Sequence, residues 1–310
     1  MKQYLYSFLL VLVLTGCSAP TDTTVYGRYV PERKDDFAWE NSYAAFRMYG
    51  PALAAENPSN GVDLWLKASP ELVVDSFYYR EQELGLPYHI NYGKGLDCYK
   101  VAHTAGCGGL VVLIDSTLYI GGQYSSWQVL EKKPTKFVFR LIYDSLLVAG
   151  QTFKESITIT AEAGKLLNRA DVVITPNITS ESESVAPFNQ NLWVGGGIYL
   201  HDTIDNYLIA ANGLVAYAED ALSDRTAAQM NYEYNGSTSQ GRTYIAVVTP
   251  QATRQQIIDG TLVSTKQYKL GDTLTYYFGA CWDRWTDGKQ SFRSDEDWFE
   301  AVSSISGTLK

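Results

Sequence analysis

The 310-residue chain has only three histidines and four cysteines, and its 25 lysines and arginines are outnumbered by 34 aspartates and glutamates. A net charge of −9 removes the electrostatic basis for binding nucleic acid or an anionic lipid surface. No CxxC or HxxxH spacing occurs, so no metal site is expected. A GxSxG elbow, a Walker loop, a dinucleotide fingerprint and an EF-hand string are absent too, and no cofactor is implied. Past the N-terminus no apolar run reaches membrane-spanning length. Internal repeats, low-complexity tracts and interior linkers are missing, so residues 32–310 read as one domain.

The N-terminus itself is apolar. After Met1-Lys2 comes YLYSFLLVLVLTGCS, too short to span a bilayer and ending in Leu14-Thr15-Gly16-Cys17. That pattern resembles a bacterial lipoprotein signal, cut before Cys17, whose thiol then carries the lipid. Residues 1–16 are accordingly read as signal and residues 17–31 as a lipidated tether. The expected location is the cell envelope, anchored to the outer membrane, with the face and the oligomeric state open.

With 45% hydrophobic residues, 23 tyrosines and seven tryptophans, the chain can bury a large core. Period-two alternation is its main pattern: in TKFVFRLIYDSLLV, Phe137, Phe139, Leu141 and Tyr143 alternate with Val138, Arg140 and Ile142. SITITAEAG, RADVVITP, NQNLWVGGGIYL, NYLIAANGLVAYAE, RTYIAVVTP and DTLTYYFGACW repeat it between turn signals. The expectation is an all-β fold, a large antiparallel sandwich of the carbohydrate-active-enzyme type. Helix is expected only at the end, where Ser294 and Asp297 form a capping box and Trp298, Val302 and Ile305 share a face. With Cys17 lipidated, Cys98, Cys107 and Cys281 allow one disulfide of open pairing, or three buried thiols.

Chemistry concentrates in YHINYGKGLDCYKVAHTAGCGG, residues 88–109, which holds two of the three histidines, two lysines and three tyrosines. His89 is the candidate acid or base, because imidazole titrates near neutral pH. Tyr92 and Tyr99 are candidate proton-transfer groups, with Lys94 or Lys100 to lower a phenol's pKa or to hold a carboxylate. His103 is expected on a strand face shared with Tyr99 and Val101. In SYAAFRMYG, Arg47 falls beside Tyr49 on one strand face, where a planar guanidinium would suit a carboxylate or would pair with Asp35, Asp36 or Glu40. Arg33 joins it, and Trp193 and His201 are candidates for stacking or binding a sugar.

ERKDDFAWEN, AFRMYGPAL, ENPSNGVDLWLK, YH, YGKGLDCYKV and GCGG, in that order, resemble the family called domain of unknown function 4861, found in secreted and lipid-anchored proteins of Bacteroidota. The resemblance runs from about Glu32 to the C-terminus. It implies a β-sandwich and a role in handling acidic oligosaccharides; some members are similar to enzymes that dehydrate a terminal uronic acid. Where members often carry a second histidine and an acidic residue, this chain has Tyr92 and Lys94.

Dehydration needs a base at the C5 proton, donors or cations for the carboxylate, and an acid for the leaving C4 hydroxyl. The expected roles are catalytic for His89, Tyr92, Tyr99 and Lys100, and substrate-binding for Arg33, Arg47, Lys94, Trp193 and His201. The alternatives are a non-catalytic sugar-binding lipoprotein, or a lyase or glycoside hydrolase cutting an internal bond. Hydrolysis would ordinarily need paired carboxylates, and Asp97 is the only acid in the 88–109 stretch.

Overall fold

A computed structural model describes residues 24–56, 58, 60–177, 188, 190–201, 205–221, 240–285 and 292–309. The chain runs through β1 (Tyr26–Val30), β2 (Asp36–Glu40), β3 (Ala44–Met48), β4 (Val62–Lys67), helix α1 (Val74–Leu84) and β5 (Gly95–Asp97). β6 (Cys107–Ile114), β7 (Thr117–Tyr119), β8 (Ser126–Lys133), β9 (Lys136–Val148), β10 (Gln151–Glu162) and β11 (Asn168–Pro176) follow. Then come β12 (Leu192–Tyr199), β13 (Asn206–Ala210), β14 (Leu214–Asp220), β15 (Arg242–Val248), β16 (Arg254–Ile258), β17 (Thr261–Tyr268), β18 (Thr273–Trp282) and helix α2 (Asp295–Ser306).

The period-two pattern builds the long strands β9 to β11 as expected. In β9, Phe137, Phe139, Leu141 and Tyr143 are buried and Arg140 and Ile142 half-buried. The phase then slips by one residue at an irregularity opposite Phe153 and Glu155, after which Leu146 and Val148 turn inward. NYLIAANGLVAYAE is not one strand but the β13–β14 hairpin, reversed through left-handed Asn212 and Gly213.

Among the described residues the strands form three antiparallel sheets, ordered β1-β2-β3-β4-β5, β13-β14-β15-β18-β11-β10-β9-β8 and β16-β17-β12-β6-β7. The fold is thus an all-β antiparallel sandwich: the eight-stranded sheet lies over both smaller sheets, with β18 against β3, β4, β6 and β12. Phe46 and Leu64 from the first sheet, Phe139 and Phe278 from the second, and Val112 and Val194 from the third join one apolar core. A bridge between Val62 and Gly106 joins the two smaller sheets. Gly106 has a φ of +62° there, and a Cβ would lie 2.1 Å from the Val62 carbonyl oxygen, so only glycine fits. The GCGG string marks this close approach.

Helix α2 begins as expected, with Ser294 Oγ accepting a hydrogen bond from the Asp297 N–H at 3.1 Å. Its Trp298 and Val302 cover Leu214, Ala216 and Ala218 on the outer face of the eight-stranded sheet. Cys98, Cys107 and Cys281 are buried and form no disulfide.

Three expectations need correction. Residues 26–30, read as tether, are β1, because YGRYV pairs with DFAWE in full register across the turn at 31–35. Helix α1 was not expected, and its start explains why. Its N-cap residue is Val73, without a side-chain cap, and the carboxylate of Glu40 on β2 accepts from the Val73 and Val74 N–H groups instead. Residues 98–105 are loop rather than strand, since Ala102 has a φ of +49° and breaks the alternation. The signal 1–16 and Cys17 lie outside the described residues.

Candidate functional site

The outer face of the first sheet carries charge where a sheet under a helix would ordinarily be apolar. Alternation puts Asp36, Ala38 and Glu40 of β2, Ala45 and Arg47 of β3, and Asp63, Trp65 and Lys67 of β4 on this face. Helix α1 covers it with Phe77 and Tyr78 packed on Trp65. Charges buried this way must pair. Lys67 Nζ lies 2.8 Å from Glu40 Oε2, and Arg47 holds the other half together.

The Arg47 guanidinium, 3% exposed, donates from Nε to Asp63 Oδ2 at 2.8 Å, from Nη2 to Asp97 Oδ2 at 3.1 Å and from Nη1 to Tyr88 Oη at 3.0 Å. Asp36 Oδ2 is 3.7 Å from Nη1. The rings of Tyr49, Trp65 and Tyr88 surround it at 5.0 to 5.4 Å. Burial opposes the charge of Arg47, yet Asp63, Tyr88 and their neighbours outweigh it and raise its pKa. Burial raises the Asp36 carboxyl above its usual range, against the pull of Arg47 and Arg33. Arg47 is therefore the charge partner of buried carboxylates and not an open clamp for a substrate. The alternative of pairing with Asp36 holds, extended to Asp63 and Asp97.

This cluster floors a cleft of about 410 Å³. Arg33, Tyr49, Glu56, Tyr88, His89, Asp97 and the 99–103 loop line it. Arg33 sits in the turn after β1, 3.5 Å from Asp36, with its pKa raised: burial and Arg47 push it down, and Asp36 and Tyr88 more than compensate. His89 is held by its Nδ1, 3.1 Å from the Asp97 carbonyl oxygen. Because a carbonyl only accepts, Nδ1 carries the proton and the basic lone pair of the neutral ring is on Nε2. His103 is exposed on the loop and lines the cleft beside Lys100.

The loop is pinned from behind. His201, just past β12, puts Nδ1 2.7 Å from Glu219 Oε2 and Nε2 2.6 Å from the Lys100 carbonyl oxygen, so both nitrogens face acceptors. Burial alone would lower its pKa, but Glu219 and the Lys100 carbonyl raise it. Tyr99 packs edge-on to this ring at 4.6 Å and donates to the Tyr199 carbonyl at 3.0 Å.

Of the residues singled out from sequence, the cleft gathers His89, Tyr99, Lys100, Arg33 and Arg47. Several roles change. Tyr99 is buried with its hydroxyl donating to the Tyr199 carbonyl, and burial drives its phenol well above its ordinary pKa, so it stands here as a wall of the cleft. Tyr92 is 37% exposed beside Arg80, at 5.7 Å from its ring, and Lys94 pairs with Glu71 at 2.8 Å. Neither lines the cleft, because Gly93 and Gly95 turn the segment outward around Asn91 Oδ1. Trp193 lies on β12 against Arg254, 4.3 Å from the ring, and outside the cleft. His201 stands behind the loop. Sequence reasoning missed Asp63; the signal was an aspartate inside the apolar run VDLWL, on the same face as Trp65 and Lys67.

The family model of the domain of unknown function DUF4861 matches residues 15–310. A curated relative, an uncharacterized protein P7 from Formosa agariphila, is 28% identical over 251 residues, covering 74% of this chain. The chain spans 64% of that relative's length. Among solved structures, the GH36 α-galactosidase AgaB from Geobacillus stearothermophilus aligns over 84% of this chain and 42% of its own, at 10% identity and a TM-score of 0.38. A variant of AgaA from the same organism, in complex with raffinose, aligns over 81% and 41%, at 9% identity and a TM-score of 0.35.

Proposed function

This chain belongs to the DUF4861 family, and we propose that it acts on carbohydrate, eliminating water from a terminal uronic acid of an acidic oligosaccharide. The observation that carries this reading is the composition of the cleft. Arg33, Lys100, His89 and His103 ring a polar pocket whose own carboxylates, Asp97 and Glu56, are matched by Arg47 and Lys34. A sugar carboxylate entering it meets cations from the Arg33 and Lys100 sides.

In this reading Nε2 of His89 takes the C5 proton. Arg33 and Lys100 hold the carboxylate, onto which charge spreads as the C5–H bond breaks. The electron pair forms the C4–C5 double bond and expels the C4 hydroxyl, protonated by Lys100 or His103 to leave as water. General acid–base assistance is worth about 10²–10⁴ in rate. Hydrolysis fits less well, since Asp97 is buried against Arg47 at 3.1 Å and does not stand as one of two opposed carboxyl groups. Lipid anchoring at Cys17 to the outer membrane belongs to the same proposal, and metabolic labelling with a palmitate analogue, lost in Cys17→Ala, tests it.

The function is tested by incubating the protein with oligosaccharides ending in glucuronic, iduronic or galacturonic acid while following ultraviolet absorbance and product mass. New absorbance with loss of one water and an intact chain, abolished in His89→Ala, is expected. Shortened chains would make it a lyase or hydrolase; tight binding without turnover would make it a sugar-binding protein.

A further inference from the structure

His103 lines two cavities. Besides the cleft, it borders a second cavity of about 270 Å³, lined by His103, Pro58, Ile120 and Gly121. The two cavities differ in chemistry. The first is ringed by Arg33, Lys100, His89 and Glu56, whereas the second has no lysine, arginine, aspartate or glutamate among its described lining residues. Its floor is fixed from below, because the Asn60 N–H donates to the Gly121 carbonyl at 3.1 Å and the Asn60 side chain reaches buried Glu155 at 3.5 Å.

We infer that the second cavity is a subsite for the sugar adjoining the uronate, and that it takes an uncharged pyranose. Pro58 and Ile120 offer an apolar surface to the C–H face of such a ring, and His103, shared by both cavities, offers a hydrogen bond at the linkage between them. A second charged sugar would leave its solvation for a pocket whose described lining holds no lysine or arginine and whose one imidazole is shared with the first sugar, which is costly. The protein's ligand is therefore at least a disaccharide with charge at one end. This inference rests on the acidic-sugar reading of the first cavity.

Calorimetric titration tests it with methyl glucuronide, a disaccharide of glucuronic acid on a neutral hexose, and a disaccharide of two uronic acids. The neutral-hexose disaccharide is expected to bind about tenfold tighter than methyl glucuronide, and the doubly acidic one to show no such gain. In Ile120→Trp, which fills the cavity, the ratio of disaccharide to monosaccharide affinity falls to about one. Equal affinity of all three for the unaltered protein, or an Ile120→Trp variant that keeps the gain, overturns the second subsite alone. Failure of methyl glucuronide and both disaccharides to bind overturns the acidic-sugar reading beneath it.

Discussion

Arg47 and Glu155 are buried charges handled in opposite ways. Arg47 keeps its charge because three carboxylates and three aromatic rings surround it. Arg47→Lys keeps the charge but loses the planar fork, leaving Asp63 and Asp97 poorly matched. A loss of about 3–5 kcal/mol in urea unfolding, as for a broken buried pair, is expected. Among the described residues Glu155 has only Asn60 at 3.5 Å, is 1% exposed, and its carboxyl is pushed up by burial from 4.5 to about 8. A folded-state pKa above the unfolded value means stability is fully present below about pH 4.5 and lost as pH rises through about 8. Glu155→Gln, which keeps an acceptor for Asn60, removes that dependence. Its advantage over the parent in denaturation midpoint should grow from pH 5 to pH 9; a constant difference would contradict the assignment. The residue scale also explains what the sequence revealed of the site. His89, Lys100, Arg33 and Arg47 stood out by type and clustering. Tyr92 and Lys94 stood out equally and point elsewhere, because the backbone turn at Gly93 and Gly95 is set by Asn91 and cannot be read from side-chain chemistry.

At the scale of elements, the long strands such as β9 to β11 were legible, whereas β1 and α1 were not. Period two is local, so β9 and β10 declare themselves from their own residues. Helix α1 is capped at its start by Glu40, thirty-three residues before Val73, and its only local signal is Gly85 at its C-terminal end. Glu40→Ala would free the N-terminus of α1 and strand Lys67 at once, and thermal melting should show a drop corresponding to about 3–5 kcal/mol. The 99–103 loop depends on its neighbours in the same way, through His201 and Glu219. Glu219→Gln should lower the His201 pKa measured by NMR and raise KM more than it lowers kcat, because the Lys100 wall loosens while His89 is untouched. His89→Ala should do the reverse, with kcat reduced about 10²–10⁴-fold.

For the whole molecule, the eight-stranded sheet is the base on which the first sheet rests with one face in the core and the other charged. That division was visible in part: Phe46 and Met48 against Arg47 and Tyr49 is an alternation the sequence displays, and both sets fall where it puts them. The join between the first and third sheets at Val62 and Gly106 was not visible, since it links residues with no shared pattern. The 99–103 loop, just before Gly106, lines the cleft together with Arg47. What the cleft does is decided most directly by running the reaction in heavy-oxygen water on an oligosaccharide ending in a uronic acid, with mass spectrometry of the products. Elimination predicts an unsaturated product lighter by one water, of undiminished chain length and free of label. One labelled oxygen at the reducing end of a shortened chain would contradict the account.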